Sequence, residues 1–342
     1  MKLKIESCII GDDEPCFIIA DVGANHDRKL SQARQLIDIA AEAGVDAVKF
    51  QTYSADTLYS TKTPVFPGEQ IKPHEVTKRV ELVREWQGEL AEYARSQNLI
   101  FLSTPFDYKA IDELAALEVP AYKWASSEIT DLPMLQYAAA MKKPIIISTG
   151  MSDLTDIQEA VTAIRSTGNQ NIALLHCTSL YPTVPQQVNL KMMDTVRNAF
   201  HLPTGFSDHS LGINIAIAAV ARGANILEKH FTIDRTLDGP DHAFALEKHE
   251  LVALVKATRE VEESLGSPIK LPISEELEKR ELSRRSIIAA VDIKKSTKIT
   301  REMLITKRPG FGIPPKFLEL IVGRCSKTDI EKDGIIDWDM IC

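Results

Sequence analysis

PIIISTGMSDLTDIQEAVTAIRSTGNQNIALLHCTS, residues 144 to 179, holds a complete folding unit in one stretch. A β-branched apolar run, PIIISTG (144 to 150), is followed by DLTDIQEAVTAIRSTG (153 to 168), whose apolar residues recur at helical spacing, and then by a second apolar run, IALLHCTS (172 to 179). Runs this short and this apolar read as buried strands, and the amphipathic stretch between them as a helix. A helix that carries the chain from one buried strand to the next leaves the two strands parallel.

The same alternation extends in both directions from this unit. FIIADVG (17 to 23), DAVKFQT (46 to 52), LIFLSTPFD (99 to 107), AYKWASSE (121 to 128), TGFSDHS (204 to 210) and ILEKHFT (226 to 232) are further candidate strands, which brings the number to eight. Between them lie helical patterns such as SQARQLIDIAAEAG (31 to 44) and WQGELAEYARSQN (86 to 98). Ser31 and Asp153 are the expected N-caps, and Gly44 and Gly168 the closing glycines. An open doubly wound sheet would normally carry a glycine-rich first turn, whereas the first turn here is GANHD. Eight βα units therefore point to an α/β fold with a closed (β/α)8 barrel.

From about residue 266 the pattern changes. GSPIKLPISEELEKRELSRR is Pro-containing, then helical and highly charged, and has no apolar face wide enough for a core. After it, short β-like runs alternate with turn residues to the end. The expected organisation is a barrel over 1–268, a linker over 269–284 and a small β-rich domain over 285–342. A domain that small is marginal alone and should dock on a barrel.

Composition narrows the partners. The chain has 342 residues, 44% of them hydrophobic and 26% charged, with a formal net charge of −8. That balance argues against nucleic acid or an anionic membrane as the main partner, since both favour a dense basic patch. Five cysteines without CxxC spacing suggest reduced thiols, and MKLKIESCIIGDDEPC is too acidic after its apolar patch for a secretory signal. The expected location is the cytoplasm.

In a barrel of this kind chemistry belongs at the C-terminal ends of the strands. Every strand here ends polar. Lys49 and Lys123 interrupt otherwise apolar strands, and a buried ammonium requires an anion. Hydroxyls and loop amides in Ser103-Thr104-Pro105 and Ser148-Thr149-Gly150 would suit a phosphate or carboxylate pocket. Two other readings stand beside that one: internal ion pairs with Glu128 or Glu228, and a Schiff-base lysine whose pKa burial has lowered. Along ILEKHFT, strand alternation places Glu228 and His230 on one face and Lys229 on the other, while Ser207 and His209 share a face on the preceding strand. Two imidazoles from adjacent strand ends, with oxygen ligands, suit a divalent metal acting as a Lewis acid. No HExxH-like spacing accompanies them, so a purely structural histidine pair remains the plainer reading of spacing alone.

The motifs NHD (25 to 27), VKFQT (48 to 52), LSTPFD (102 to 107), YKWASSEITDLP (122 to 133), IISTGMS (146 to 152), LLHCTSLYPT (174 to 183), GFSDHS (205 to 210), EKHFTIDR (228 to 235) and GPDH (239 to 242) together resemble the sialic acid (N-acetylneuraminate) synthase family. That family includes the legionaminic and pseudaminic acid synthases. RRSIIAAVDI through KRPGFGIPPKF resembles the antifreeze-like SAF domain that ends its members. The resemblance implies a (β/α)8 TIM barrel with a C-terminal SAF domain. It also implies condensation of phosphoenolpyruvate with an N-acyl hexose, N-acetylmannosamine or a diacetamido-trideoxyhexose, to a nine-carbon 2-keto acid and phosphate. By the same resemblance His209 and His230 hold a divalent metal, Mn2+ first and Mg2+ or Co2+ as alternatives. Lys49, Thr104, Lys123, Ser126, Ser148 and Ser207 hold phosphoenolpyruvate. Gln51, Glu128, Tyr181 and Asp241 meet the sugar, Asp21 and Glu128 join the histidines in catalysis, and Arg308 reaches the N-acyl group within a domain-swapped homodimer.

Three positions depart from the family pattern. Asp21 stands where the family usually has Glu. The loop PVFPGEQIKPHEV (64 to 76) offers Glu69 or Gln70 in place of a sugar-facing asparagine. Ser296 replaces a turn glycine. Strict alternation also separates Lys123 from Ser126, so a bulge or twist at 125 to 127 is expected if both meet one ligand. A Schiff-base aldolase and a non-catalytic sugar-binding barrel are the competing functions.

Overall fold

Two short antiparallel strands, β1 (Leu3–Ile5) and β2 (Cys8–Ile10), lead into eight parallel ones: β3 (Phe17–Asp21), β4 (Ala47–Thr52), β5 (Ile100–Pro105), β6 (Tyr122–Trp124), β7 (Ile145–Ser148), β8 (Ile172–Cys177), β9 (Thr204–Asp208) and β10 (Ile226–His230). The last of these pairs back onto β3 and closes the barrel, with His230 opposite Asp21. This computed structural model describes residues 2–66 and 70–342. The chain divides into two units, Met1–Gly266 and Ser267–Cys342.

Period-two alternation sorts each barrel strand into an inner and an outer column. Phe17, Ile19, Ala47, Ile100, Leu102, Ala121, Ile146, Ala173, Leu175 and Ile226 form one apolar cluster, in which Leu3, Ile5 and Ile10 of the β1–β2 hairpin also take part. The intervening residues, such as Ile18, Val48, Phe101, Tyr122 and Leu174, belong to a second cluster with the surrounding helices. Continuing the inner columns toward the C-terminal ends gives Asp21, Lys49, Thr104, Lys123, Ser148, Cys177, Ser207, Glu228 and His230. The interior is thus apolar below and polar at the top. Gly205 of β9 belongs to that packing, because a Cβ there would collide with the Ile226 backbone.

One local expectation needs correction, and another is met in one of its two forms. The first barrel helix runs Leu30–Ala43 with Lys29 in the N-cap position, so Ser31 lies inside the first turn and caps nothing; Gly44 does close the helix at φ 77°. Of the bulge or twist expected at 125 to 127, the chain takes the twist. The strand β6 stops at Trp124, and a 3-10 turn, Ser126–Glu128, reorients the chain. The Asp153 cap is present as a full capping box on the helix Leu154–Ser166.

In the second unit an exposed helix, Ser274–Ser283, precedes a small β-rich body built on antiparallel β11 (Ser286–Ala289) and β12 (Leu304–Lys307). Its core comprises Ile287, Ile293, Ile299, Leu304, Ile313, Ile321 and Ile336, among others. No helix among the described residues is long and apolar enough to cross a membrane.

Candidate active site

The polar upper layer of the barrel gathers two ammoniums and two carboxylates. Lys49 Nζ lies 2.8 Å from Asp21 Oδ2 and 4.0 Å from Glu228 Oε2, and Lys123 Nζ lies 3.5 Å from Glu228 Oε1. Lys123 also donates to Ser148 Oγ at 2.7 Å, and Ser207 Oγ donates to Glu228 Oε1 at 3.0 Å. All six side chains are buried. Of Glu128 and Glu228, the two expected lysine partners, Glu228 is the one realised, and Asp21 pairs with Lys49 beside it. Among the described residues Glu128 forms no ion pair with either lysine; it is half-buried in the turn after β6, where its backbone carbonyl accepts from Trp124 Nε1 at 2.9 Å.

Burial raises the Asp21 carboxyl, yet the Lys49 ammonium and the His230 ring outweigh it and hold its pKa at about 2. For Lys49 burial acts downward, and Asp21 with Glu228 reverses it to leave the pKa above the ordinary value. For Lys123 burial prevails over Glu228 and the pKa falls. Glu228 Oε2 has no hydrogen-bond partner although it is buried. The charges balance in pairs, but one acceptor lone pair is left over for an incoming group.

Beside this cluster stand the two histidines, with ring centroids 5.5 Å apart. His209 Nδ1 donates to the Thr178 carbonyl at 3.0 Å, which leaves Nε2 as its lone-pair nitrogen. His230 has Nε2 3.2 Å from Asp21 Oδ2, while its Nδ1 is buried without a hydrogen-bond partner. Burial lowers the His230 pKa against the pull of Asp21, favouring the neutral ring that a metal ligand must be. For His209 burial also acts downward, but Cys177 and the Thr178 carbonyl outweigh it and raise the pKa; with both rings neutral, each imidazole offers one open nitrogen. Among the described residues no three His, Cys, Asp or Glu side chains form a ready-made cage. The pair fits a divalent ion of the Mn2+ type that takes two nitrogens from the chain and the rest of its ligands as oxygen from water or substrate.

The remaining expected residues surround these two clusters. Tyr181, 54% exposed, packs its ring 4.2 Å from that of His209. Asp241 Oδ2 accepts from Ala24 N at 2.8 Å and lies 3.8 Å from His230 Nδ1. Gly23, at φ 53°, leaves the room both need: a Cβ there would clash with Asp241 and with His230. Gln51 and Thr104 are register partners across β4 and β5. Ser126 Oγ accepts from Gly150 N at 2.9 Å, so the 3-10 turn keeps it beside the end of β7. Ser103 and Thr149 are committed elsewhere, to Thr52 and to the Leu175 carbonyl. Arg308 is exposed just after β12 in the second unit, Gln70 is exposed, and Glu69 lies outside the described residues.

One residue absent from the expected site is central to it. Glu228 joins both lysines and Ser207, and its signal is the odd-even alternation with His230 on a strand that should have avoided charge. A large groove, 860 Å³, lies elsewhere, lined by Arg28, Tyr53, Glu81, Arg84, Asp107 and Glu113. These charges pair with one another, Arg28 with Glu81 and Arg84 with Asp107 and Glu113.

Comparison with known proteins gives the family of the chain. The NeuB family matches residues 36–270 and the SAF domain residues 284–341. The N,N'-diacetyllegionaminic acid synthase of Legionella pneumophila is 41% identical over 341 residues, spanning 97% of this chain and 96% of its own. A pseudaminic acid synthase of Campylobacter jejuni is 34% identical over 325 residues, with 93% and 94% covered. The crystal structure of an N-acetylneuraminic acid (sialic acid) synthetase from Leptospira borgpetersenii superposes with a TM-score of 0.75 at 34% identity, over 82% of this chain and 95% of that one.

Proposed function

The chain belongs to the NeuB family and ends in an SAF domain, and from that premise we propose that it is a nonulosonic acid synthase that condenses phosphoenolpyruvate with the open-chain aldehyde of an N-acyl hexose. The observation that carries the reading is the juxtaposition of the Lys49–Glu228–Lys123 cluster with two imidazoles that each keep an open nitrogen. One cluster suits a phosphorylated carboxylate, the other the oxygen of a carbonyl.

Lys49 and Lys123 hold the phosphate and carboxylate of phosphoenolpyruvate, with hydroxyls from Thr104, Ser126, Ser148 and Ser207. Gln51, Glu128, Tyr181 and Asp241 orient the sugar. When bound to His209 and His230, a divalent cation supplies Lewis-acid polarisation of the aldehyde. A carbon–carbon bond forms from the enol methylene to the aldehyde carbon, whose oxygen takes up the proton that the attacking water gives up through Glu228. Water adds at the cationic carbon that bears phosphate, and Glu228, with its unpartnered Oε2, receives the water proton. The carbon–oxygen bond to phosphate then breaks, and loss of the hydroxyl proton leaves the 2-keto acid. Asp21, ionised down to about pH 2, fixes Lys49 and His230 relative to each other. Arg308 serves the acyl group from the SAF domain of a domain-swapped homodimer, and the cytoplasm supplies phosphoenolpyruvate.

The higher identity to the legionaminic enzyme, 41% against 34%, favours a diacetamido-trideoxyhexose as the first acceptor to try. The test is incubation of the purified protein with phosphoenolpyruvate, Mn2+ and a panel of acylated hexoses, following phosphate release and product mass. Phosphate release with none of them sinks the proposal. His209→Ala and His230→Ala should each abolish turnover and Mn2+ binding while the protein stays folded. The lowered pKa of Lys123 gives a Schiff-base aldolase its one supporting observation. Borohydride trapping of a pyruvyl-lysine adduct would favour that enzyme instead.

A further inference from the structure

Two motifs, NHD and GPDH, meet in a network that is buried at His242 and Thr232 and half-buried at Asp27. His242, 1% exposed, donates from Nε2 to Asp27 Oδ1 at 2.9 Å, and its Nδ1 lies 2.6 Å from Thr232 Oγ1. Asp27 Oδ2 accepts from Gln32 Nε2 at 2.7 Å, and the same amide also donates to the Asn25 carbonyl. Because a carboxylate only accepts, the tautomer is fixed with a proton on Nε2. Thr232 stands two residues beyond His230, and its backbone N–H donates to the Leu246 carbonyl at the far end of the loop. The loop from 233 to 245 is therefore tied at its base by Leu246 and near its tip by His242.

The residue before His242 is Asp241, the carboxylate that faces the open nitrogen of His230. The two share a peptide unit, so the anchor on the His242 ring restrains the backbone from which Asp241 projects, alongside the Ala24 N–H that Asp241 accepts. The packing leaves no slack: a Cβ on Gly239 would lie 2.8 Å from the His242 ring, and one on Gly23 would clash with Asp241 itself. Both glycines make room for the same pair of side chains.

We propose that Asp27, His242 and Thr232 form a clamp that positions Asp241 over the histidine pair and thereby sets the use of the acceptor sugar, without touching the sugar themselves. The inference rests on the synthase reading and assigns Asp27 and His242 as positioning residues.

The test measures kcat, KM for the sugar and KM for phosphoenolpyruvate in Asp27→Asn, His242→Phe, Thr232→Val and Thr232→Ser, with melting temperature as a folding control. Asp27→Asn and His242→Phe should raise the sugar KM about tenfold and change the phosphoenolpyruvate KM less than about twofold. Thr232→Ser should behave as the parent and Thr232→Val as His242→Phe. The deciding measurement is a double-mutant cycle: in an Asp241→Asn background, His242→Phe should cost nothing further, because the group it positions is already disabled. Independent effects that multiply, an equal loss for both substrates, or an unchanged sugar KM would overturn the clamp. If His242→Phe does not fold, the cycle is run with Asp27→Asn. A parent protein that releases no phosphate with any sugar overturns the synthase reading and the clamp together, whereas an active parent with a multiplicative cycle overturns the clamp alone.

Discussion

Glu228 is the residue on which the site's charge depends. It is the shared counter-charge of two buried ammoniums, and removing one member of such a set costs more than the set itself contributes. Glu228→Gln keeps the shape and should lower stability by about 3 kcal/mol in urea titration, with phosphoenolpyruvate restoring more of it than in the parent; an unchanged midpoint would mean Glu228 bears no such burden. His26 carries the second residue-scale expectation. Burial pushes its pKa from 6.5 to about 4, so between those values the unfolded chain binds the extra proton and the folded chain does not. Stability should then fall as pH drops from 6.5 to 4, by roughly 3 kcal/mol from this group, and level off below. His176 and His230 are pushed the same way by burial. Asp21 acts lower, its contribution complete above 3.8 and lost as pH falls through about 2. Urea titrations in pH steps should show a shallower slope for His26→Gln between 6.5 and 4. Both lysines and His230 are legible in the sequence because each interrupts an apolar strand, and His209 because it stands at the polar end of the neighbouring one. Glu228 is visible there as one of two candidate lysine partners, but that it rather than Glu128 meets both lysines is decided by barrel closure between β10 and its neighbours, far apart in the chain.

Strands are legible wherever alternation persists and misread where it ends. The Lys123–Ser126 conflict is the clearest case: period two does not extend past Trp124, because the chain has already turned into a 3-10 segment, and both side chains reach the upper layer without any bulge. Helix starts show the same division. Asp153 is readable because Asp156 answers it across the capping box, while Ser31 misleads because Lys29 begins its helix with no side-chain cap at all. In the SAF region Ser296 adopts φ 68°, the left-handed conformation that a glycine would take without strain. Ser296→Gly should therefore raise stability by about 1 kcal/mol in thermal or urea unfolding and leave turnover alone; a loss of stability would show that the serine side chain has a compensating role.

At the scale of the whole molecule, the eightfold repetition of strand and helix makes the barrel readable from the order of residues alone. Where the second unit does its work is not readable in that way, because a small domain's docking depends on surfaces rather than on periodicity. Arg308 makes the question answerable. Two defective subunits, one with Arg308→Ala and the other with His209→Ala and His230→Ala, should regain turnover when co-expressed, because an intact barrel would then meet an intact arginine from its neighbour. No gain over the separate variants would place the arginine's action within its own chain. The hairpin at the other end of the barrel has a consequence of its own. Leu3, Ile5 and Ile10 join the inner apolar layer, so hydrocarbon packing continues past the foot of the barrel strands, opposite the polar layer. With the lysines reached from the polar end alone, the proposed synthase should bind phosphoenolpyruvate before the sugar, and product-inhibition patterns should be ordered; random patterns would show that both ligands reach the site independently.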